Sequence, residues 1–305
     1  MFHLNDITDL SVEQLDQMIK LADDIHLNKS KYENACFRKT LATLFYEPST
    51  RTRLSFEAAM LEMGGSVIGF ADANSSSVTK GESVADTIRT VECYSDIIAM
   101  RHNKEGAALA AALRAKVPII NAGDGGHNHP TQTLADMFTI RKEKGSFNNL
   151  KVGLCGDLMF GRTVHSLVEA LARYDDVHFV LVSPPELRLP EYLQEGALNR
   201  PNVTFRETES LADALPELDI LYMTRVQRER FFNEADYMRL KDRTILTAPL
   251  LDIAKPDLVI MHPLPRVNEI APEIDDDPRA AYFKQMYYGK IIRKALLLTM
   301  LEVAK

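Results

Sequence analysis

Ser49-Thr50-Arg51-Thr52-Arg53 puts three hydroxyls and two guanidinium groups into five consecutive residues. An apolar run, 41–46, precedes it and a helical pattern with Leu54, Ala58 and Leu61 on one side follows, so the stretch reads as strand, turn and helix start. A helix N-terminus presents unpaired backbone N–H groups and the positive end of the peptide dipoles, and with hydroxyls and guanidinium groups beside it the place suits a phosphate or carboxylate. Ordinary capping by Ser49 or Thr50 would explain the hydroxyls. It does not explain two arginines in the first turn, where cations oppose the dipole unless an anion is near. Residues two apart on a helix face different ways, so Arg51, nearer the orphan N–H groups, is assigned to the ligand and Arg53 to a supporting role.

Similar chemistry recurs along the chain. Arg101 and His102 end the apolar run 97–100, where an arginine is either a ligand contact or a solvated charge. In Asn121–Thr133, three glycines permit unusual backbone angles, and Pro130 suits the first position of a helix running to about Lys144. That puts His129 at the cap and Gln132 in the first turn. His127 and His129 lack a third ligand at metal spacing, and a cap histidine satisfied by backbone stays open beside a substrate contact. Glycines 153, 156 and 161 miss the G-x-G-x-x-G fingerprint, leaving a second helix start, with Arg162 on it, as a further anion site. Thr224-Arg225-Val226-Gln227 and His262-Pro263-Leu264-Pro265 follow two more apolar runs. The small, polar segment 74–81 reads as a mobile loop, either a solvated linker or a lid carrying Lys80.

Short apolar strands alternate with amphipathic helices through both halves, which predicts doubly wound parallel sheets with ligands beyond the carboxyl ends of the strands. At 305 residues the chain exceeds the size at which one core usually divides, so two domains are expected. The last helix, with Ile291, Ile292, Ala295, Leu296 and Met300, is apolar enough to pack back across a domain face. A net charge of −7 argues against nucleic acid as a partner, so positive charge for anionic ligands must be focused locally. No run approaches the ~20 apolar residues of a membrane span, and the first residues resemble no leader, which leads us to expect a cytoplasmic protein. Cys36, Cys93 and Cys155 are scattered and read as small buried hydrophobes, and Asp275-Asp276-Asp277 as a solvated turn.

Taken in order, Ser49-Thr50-Arg51-Thr52, Lys80-Gly81-Glu82, Met100-Arg101-His102, His129-Pro130-Thr131-Gln132, Gly161-Arg162-Thr163, Thr224-Arg225-Val226-Gln227 and His262-Pro263-Leu264-Pro265 resemble the aspartate/ornithine carbamoyltransferase family over nearly the whole chain. The resemblance implies two α/β domains: a carbamoyl-phosphate domain over 1–130, completed by a C-terminal helix 287–305, and an aspartate domain over 131–286. It implies a homotrimer with active sites at subunit interfaces, and leaves open separate regulatory chains. Carbamoyl transfer from carbamoyl phosphate to L-aspartate, early in pyrimidine synthesis, would need neither metal nor organic cofactor. By the same resemblance, Ser49, Thr50, Arg51, Thr52 and Arg101 hold the phosphate, with Ser76 (Ser77 as fallback) and Lys80 entering from a neighbouring subunit. Thr52, Arg101 and His129 hold the carbonyl oxygen. Gln132 and the backbone carbonyls of Pro263 and Leu264 hold the carbamoyl amide, and Arg162, Arg225, Gln227 and Lys80 hold the aspartate carboxylates.

Two other readings compete. Ornithine-specific relatives carry a cysteine in the late His-x-Leu-Pro motif and a Ser-Met-Gly loop. Here Pro263 stands in that motif, no such loop exists, and Arg225 would repel a cationic side chain. An inactive anion-binding homologue should lack some of Arg51, Lys80, Arg101 and His129, and all four are present. Nothing functional is read into Tyr46-Glu47-Pro48 or into Gly126-His127-Asn128, where the family varies.

Overall fold

The computed structural model describes residues 2–231 and 233–303. Positions 1, 232, 304 and 305 of the expected domain spans lie outside the described residues. The chain divides into two compact units, Met1–Phe138 with Met286–Lys305, and Thr139–Gln285. The division therefore falls at 138/139, inside a helix, rather than at 130/131 as expected. The reason is local: residues 128–140 are buried throughout, so the first turns of that helix belong to the first core.

In the first unit, strands β1 (Thr40–Phe45), β2 (Ser66–Phe70), β3 (Ile97–His102) and β4 (Ile119–Asp124) form a parallel sheet in the order β2-β1-β3-β4. β3 and β4 are buried along their whole length, as strands covered on both faces must be, whereas the edge strand β2 is largely exposed. Helix α1 (Val12–Leu27) starts with a capping box between Ser11 and Gln14 and buries Leu15, Ile19, Ala22 and Ile25. Helix α2 (Thr50–Leu61) follows β1, α3 (Val84–Val91) precedes β3, α4 (Ala107–Ala112) links β3 to β4, and α5 (Pro130–Lys144) follows β4. The C-terminal helix, Tyr282–Met300, returns to this unit, and its Tyr288 meets Phe138 edge-on at 5.7 Å.

The second unit carries β5 (Leu150–Cys155), β6 (Val177–Val182), β7 (Val203–Thr208), β8 (Ile220–Met223) and β9 (Val259–Met261) in the parallel order β7-β6-β5-β8-β9, with α6 (Arg162–Leu171) after β5. Strand order reverses between β1 and β3 in one sheet and between β5 and β8 in the other. At such a reversal the connections leave toward opposite faces, so a crevice opens beyond the strand ends.

The 74–81 segment, expected as a mobile loop, carries two single turns, Ala73–Ser75 and Ser77–Lys80, with Val78 packed against a core that includes residues of β1 and β3. Two expectations need correction. Cys93 is exposed, lying just past the end of α3, while Cys36 and Cys155 are buried. Asp275 pairs with Arg266 and Asp277 with Arg279, so that acidic turn is tied into the fold. Among the described residues no helix is long and apolar enough to cross a membrane.

Candidate active site

The first sheet reverses between β1 and β3, and the loop after β1 is the hydroxyl- and arginine-rich stretch. Tyr46 N donates to Arg101 O at 2.8 Å, which sets the exit of β1 beside the end of β3. Ser49 is the N-cap of α2, yet its side chain makes no capping hydrogen bond. Capping, the ordinary explanation for a serine there, does not account for this one. Thr52 is buried and Arg51 exposed. Arg53 takes the supporting part expected of it: its Nε donates to Glu57 Oε1 at 2.7 Å, and Thr43 Oγ1 donates to the same oxygen at 3.1 Å.

Arg101 is no solvated strand-end charge. Only 7% of the residue is exposed; Nη2 donates to Glu47 at 2.9 Å, Nη1 to Ala122 O at 3.4 Å, and the buried Nε has no partner. Glu47, passed over in the sequence, thus pairs with the central guanidinium. Gly123 has φ +121°, and a Cβ built there would stand 2.6 Å from Arg101 Nη1 and 3.6 Å from His129 Cδ2. Arg101 and His129 therefore converge on one patch of bare backbone, which only glycine leaves open. His129 accepts backbone bonds from Gln132 and Thr133 as the cap of α5, and its Nδ1 lies 3.4 Å from Thr131 Oγ1. Its backbone caps while its ring faces Arg101's neighbourhood, so both local readings hold at once. Gln132, also buried, donates Nε2 to Asp136 Oδ1 at 2.8 Å.

The loop that carries His129 is held by Asp124, which was not picked out in the sequence. Its buried carboxylate accepts Asn128 N at 3.0 Å, Asn121 Nδ2 at 3.0 Å and Gly106 N at 2.9 Å. The Ser76–Lys80 turn stands apart, following the edge strand. Ser76 Oγ donates to Ala73 O at 2.8 Å and caps Val78 N, so its hydroxyl serves its own loop, while Ser77 and Lys80 are exposed.

In the second unit the reversal lies between β5 and β8, and their exit loops are stitched together. Thr224 Oγ1 donates to Cys155 O and accepts from Asp157 N, both at 3.1 Å. Fully buried Asp157 accepts Phe160 N at 2.9 Å and Gln227 N at 3.2 Å, and Gln227 Nε2 donates to Phe160 O at 2.8 Å. Arg162 at the start of α6 and Arg225 and Gln227 after β8 thus sit on adjoining loops, half-buried, on a frame made by a carboxylate the sequence reading did not single out. The signal for it was available, since Asp157 follows Gly156 directly beyond a strand end.

His262, Pro263 and Leu264 follow β9. Leu264 N donates to His262 Nδ1 at 2.8 Å, so the ring proton is on Nε2 and is given to Glu269 Oε1 at 2.7 Å. Burial drives the His262 pKa below its usual value. Burial would raise the Glu269 pKa, but the bonds from His262, from its own backbone amide and from the Val267 amide outweigh it and hold the carboxyl below its usual range. A neutral imidazole between a backbone amide and a carboxylate fixes the 263–264 turn.

Comparison with known proteins finds a match of the same family in each half of the chain. Residues 3–142 match the aspartate/ornithine carbamoyltransferase carbamoyl-P binding domain, and residues 148–300 the Asp/Orn binding domain of the same family. The aspartate carbamoyltransferase catalytic subunit of Lachnoclostridium phytofermentans is 59% identical over 303 residues, covering 99% of each chain. The catalytic subunit of M. jannaschii aspartate transcarbamoylase is similar in structure with TM-score 0.92 and 46% identity, over 99% of this chain and 98% of that one. Trypanosoma cruzi aspartate transcarbamoylase, solved with carbamoyl phosphate and aspartate, gives TM-score 0.91 and 38% identity over 97% and 95%. With both family domains matched in order across two sheets whose reversals carry the motif residues, the chain belongs to the aspartate/ornithine carbamoyltransferase family.

Proposed function

We infer that the chain transfers the carbamoyl group of carbamoyl phosphate to the amino group of L-aspartate, giving N-carbamoyl-L-aspartate and phosphate, an early step of pyrimidine synthesis. The observation that carries this reading is that the strand-order reversal of each parallel sheet ends in loops bearing guanidinium groups, one set for an acyl phosphate and one for a dicarboxylate. Carbamoyl phosphate is assigned to the first unit. Ser49, Thr50, Arg51, Thr52 and Arg101 take its phosphate, and the orphaned Arg101 Nε is a donor such an anion would satisfy. Aspartate is assigned to the second, through Arg162, Arg225 and Gln227.

Attack by the aspartate amine on the carbonyl carbon forms the C–N bond and puts charge on the carbonyl oxygen. Thr52, Arg101 and His129 meet that oxyanion; one fixed donor of this kind is worth about 10²- to 10³-fold in rate. In the tautomer in which Thr131 donates to Nδ1, the His129 proton is on Nε2, the form this role requires. Collapse of the tetrahedral adduct breaks the C–O bond to phosphate, and the departing phosphate takes the amine proton. Gln132 and the carbonyls of Pro263 and Leu264 orient the carbamoyl NH2 group. Ser76 and Lys80 act on the site of a neighbouring copy in a homotrimer in the cytoplasm; with the Ser76 hydroxyl bonded within its own turn, that turn must rearrange for Ser76 to reach a ligand.

The deciding assay measures ureido product from carbamoyl phosphate with aspartate and, separately, with ornithine. Product with aspartate alone supports the assignment. Product with ornithine alone, or none with either, overturns it.

A further inference from the structure

Gln132 presents a puzzle of orientation. A primary amide is a donor at one end and an acceptor at the other, and the carbamoyl NH2 of the substrate needs an acceptor. Carbamoyl phosphate and acetyl phosphate are nearly the same shape, differing by NH2 against CH3. A pocket that merely fits the shape separates such a pair by one or two orders of magnitude, whereas one that hydrogen-bonds the N–H separates them by several. The direction in which Gln132 points therefore sets selectivity.

We propose that Asp136 and Arg293 are a buried positioning pair that fixes the Gln132 amide with its carbonyl toward the substrate, making the site select a carbamoyl over an acetyl group. This rests on the assignment of Gln132 to the carbamoyl amide. Asp136, fully buried, accepts Gln132 Nε2 at 2.8 Å. An ionised carboxylate has no proton to give, so only the NH2 end of the amide can face it, and Oε1 is turned to the other side. That logic requires a charged Asp136. A lone carboxyl in so dry a place would take up a proton, become a donor, and allow the amide to turn over.

Arg293 supplies the charge that prevents this. It comes from the C-terminal helix, is 5% exposed, and has its guanidinium 5.3 Å from the Phe56 ring. Nη1 donates to Ser55 Oγ at 3.2 Å and Nη2 to Thr131 O at 3.3 Å, which ties it to the early turns of both α2 and α5. Burial lowers its pKa to about 10, with the Asp136 charge pulling the other way, so the guanidinium stays charged at neutral pH. Asp136 thus binds the amide directly, and the buried charge of Arg293 lies within electrostatic reach of it.

The test is the ratio of kcat/KM for carbamoyl phosphate to that for acetyl phosphate, with aspartate as acceptor. Asp136→Asn can face Gln132 with either end, so the ratio should fall about tenfold or more, mostly through KM for carbamoyl phosphate. Competitive inhibition by inorganic phosphate should change little, because phosphate does not touch Gln132. Gln132→Leu should also lower the ratio, and adding Asp136→Asn to it should lower it no further. A ratio unchanged in Gln132→Leu overturns the assignment of Gln132 itself. A ratio lowered in Gln132→Leu but kept in folded Asp136→Asn overturns the positioning pair alone, as does an equal loss of phosphate inhibition, which would mark general disruption. Should Asp136→Asn not fold, Arg293→Gln, which strips Asp136 of its cation, must lower the same ratio, and an unchanged ratio there overturns the proposal.

Discussion

Gly123→Ala is the sharpest probe of the convergence of Arg101 and His129. The added Cβ stands 2.6 Å from Arg101 Nη1, so the guanidinium must retreat by about 0.8 Å to reach ordinary contact at 3.4 Å. On most surfaces the tip of an arginine would swing aside at little cost. Here it is 7% exposed and bonded to both Glu47 and Ala122 O, so the displacement is forced on a pinned group. A misplacement of that order costs about 10²-fold in rate, or about 2.7 kcal/mol in transition-state stabilisation. The φ of +121° adds backbone strain of about 1–3 kcal/mol, which is read separately as a lower melting temperature. Steady-state kcat/KM for carbamoyl phosphate at saturating aspartate, with circular dichroism melts, separates the two effects. If alanine acts through the guanidinium, Gly123→Ala combined with Arg101→Ala should be little worse than Arg101→Ala alone. Activity of Gly123→Ala within about threefold of wild type, or losses that simply add in the double variant, would refute the argument.

Arg51→Ala should remain folded and lose carbamoyl-phosphate affinity by about 1.5–3 kcal/mol for each charged hydrogen bond removed; normal turnover at low substrate would contradict its role. His129→Ala should lower kcat by about 10²- to 10³-fold, and a loss of binding with kcat intact would remove it from the oxyanion. Burial holds His262, His165, His102 and His3 below the usual 6.5, so each takes up a proton more readily unfolded than folded. Their stabilisation is complete above 6.5 and is lost as pH falls from there through the folded values, so the melting temperature should drop on acidification below 6.5. A rise on acidification would be inconsistent with that burial. Mixing Lys80→Ala with Arg51→Ala subunits should regenerate some intact sites, and no recovery after verified exchange would count against a shared loop.

Much of this architecture can be read from periodicity alone, and the reason is specific. Apolar runs such as 41–46 and 97–100 end abruptly in polar clusters, and a parallel sheet puts every such end on one side, so Arg51, Arg101, Arg162 and Arg225 announce themselves by following strands. Sheet order is another matter. Nothing in the sequence of β1 says that β3 lies beside it, because that choice is made by tertiary packing. Asp136 was illegible for a related reason: within Leu134–Ile140 a single acid looks like a helix's exposed face, and only full burial of the whole segment shows it to be internal. Arg293 hid in the same way among the apolar residues of the last helix. In the Ser-rich 74–81 stretch, composition gives no hint of the two single turns or of Val78 packing against the core.

The buried acids Asp124, Asp136 and Asp157 raise a physical question, since carboxylates behind a site for anions should weaken it. Asp124 and Asp157 are occupied by backbone N–H groups, and Asp136 by an amide and the charge of Arg293. Because a carboxylate only accepts, each compels its neighbours to turn their donors toward it, which fixes loops that glycines would otherwise leave loose. The acids therefore set the geometry of donors they never share with substrate. On a chain of net charge −7, the proposed attraction for acidic substrates must come from a few guanidinium groups, those of Arg162 and Arg225 standing on loops that Asp157 ties down.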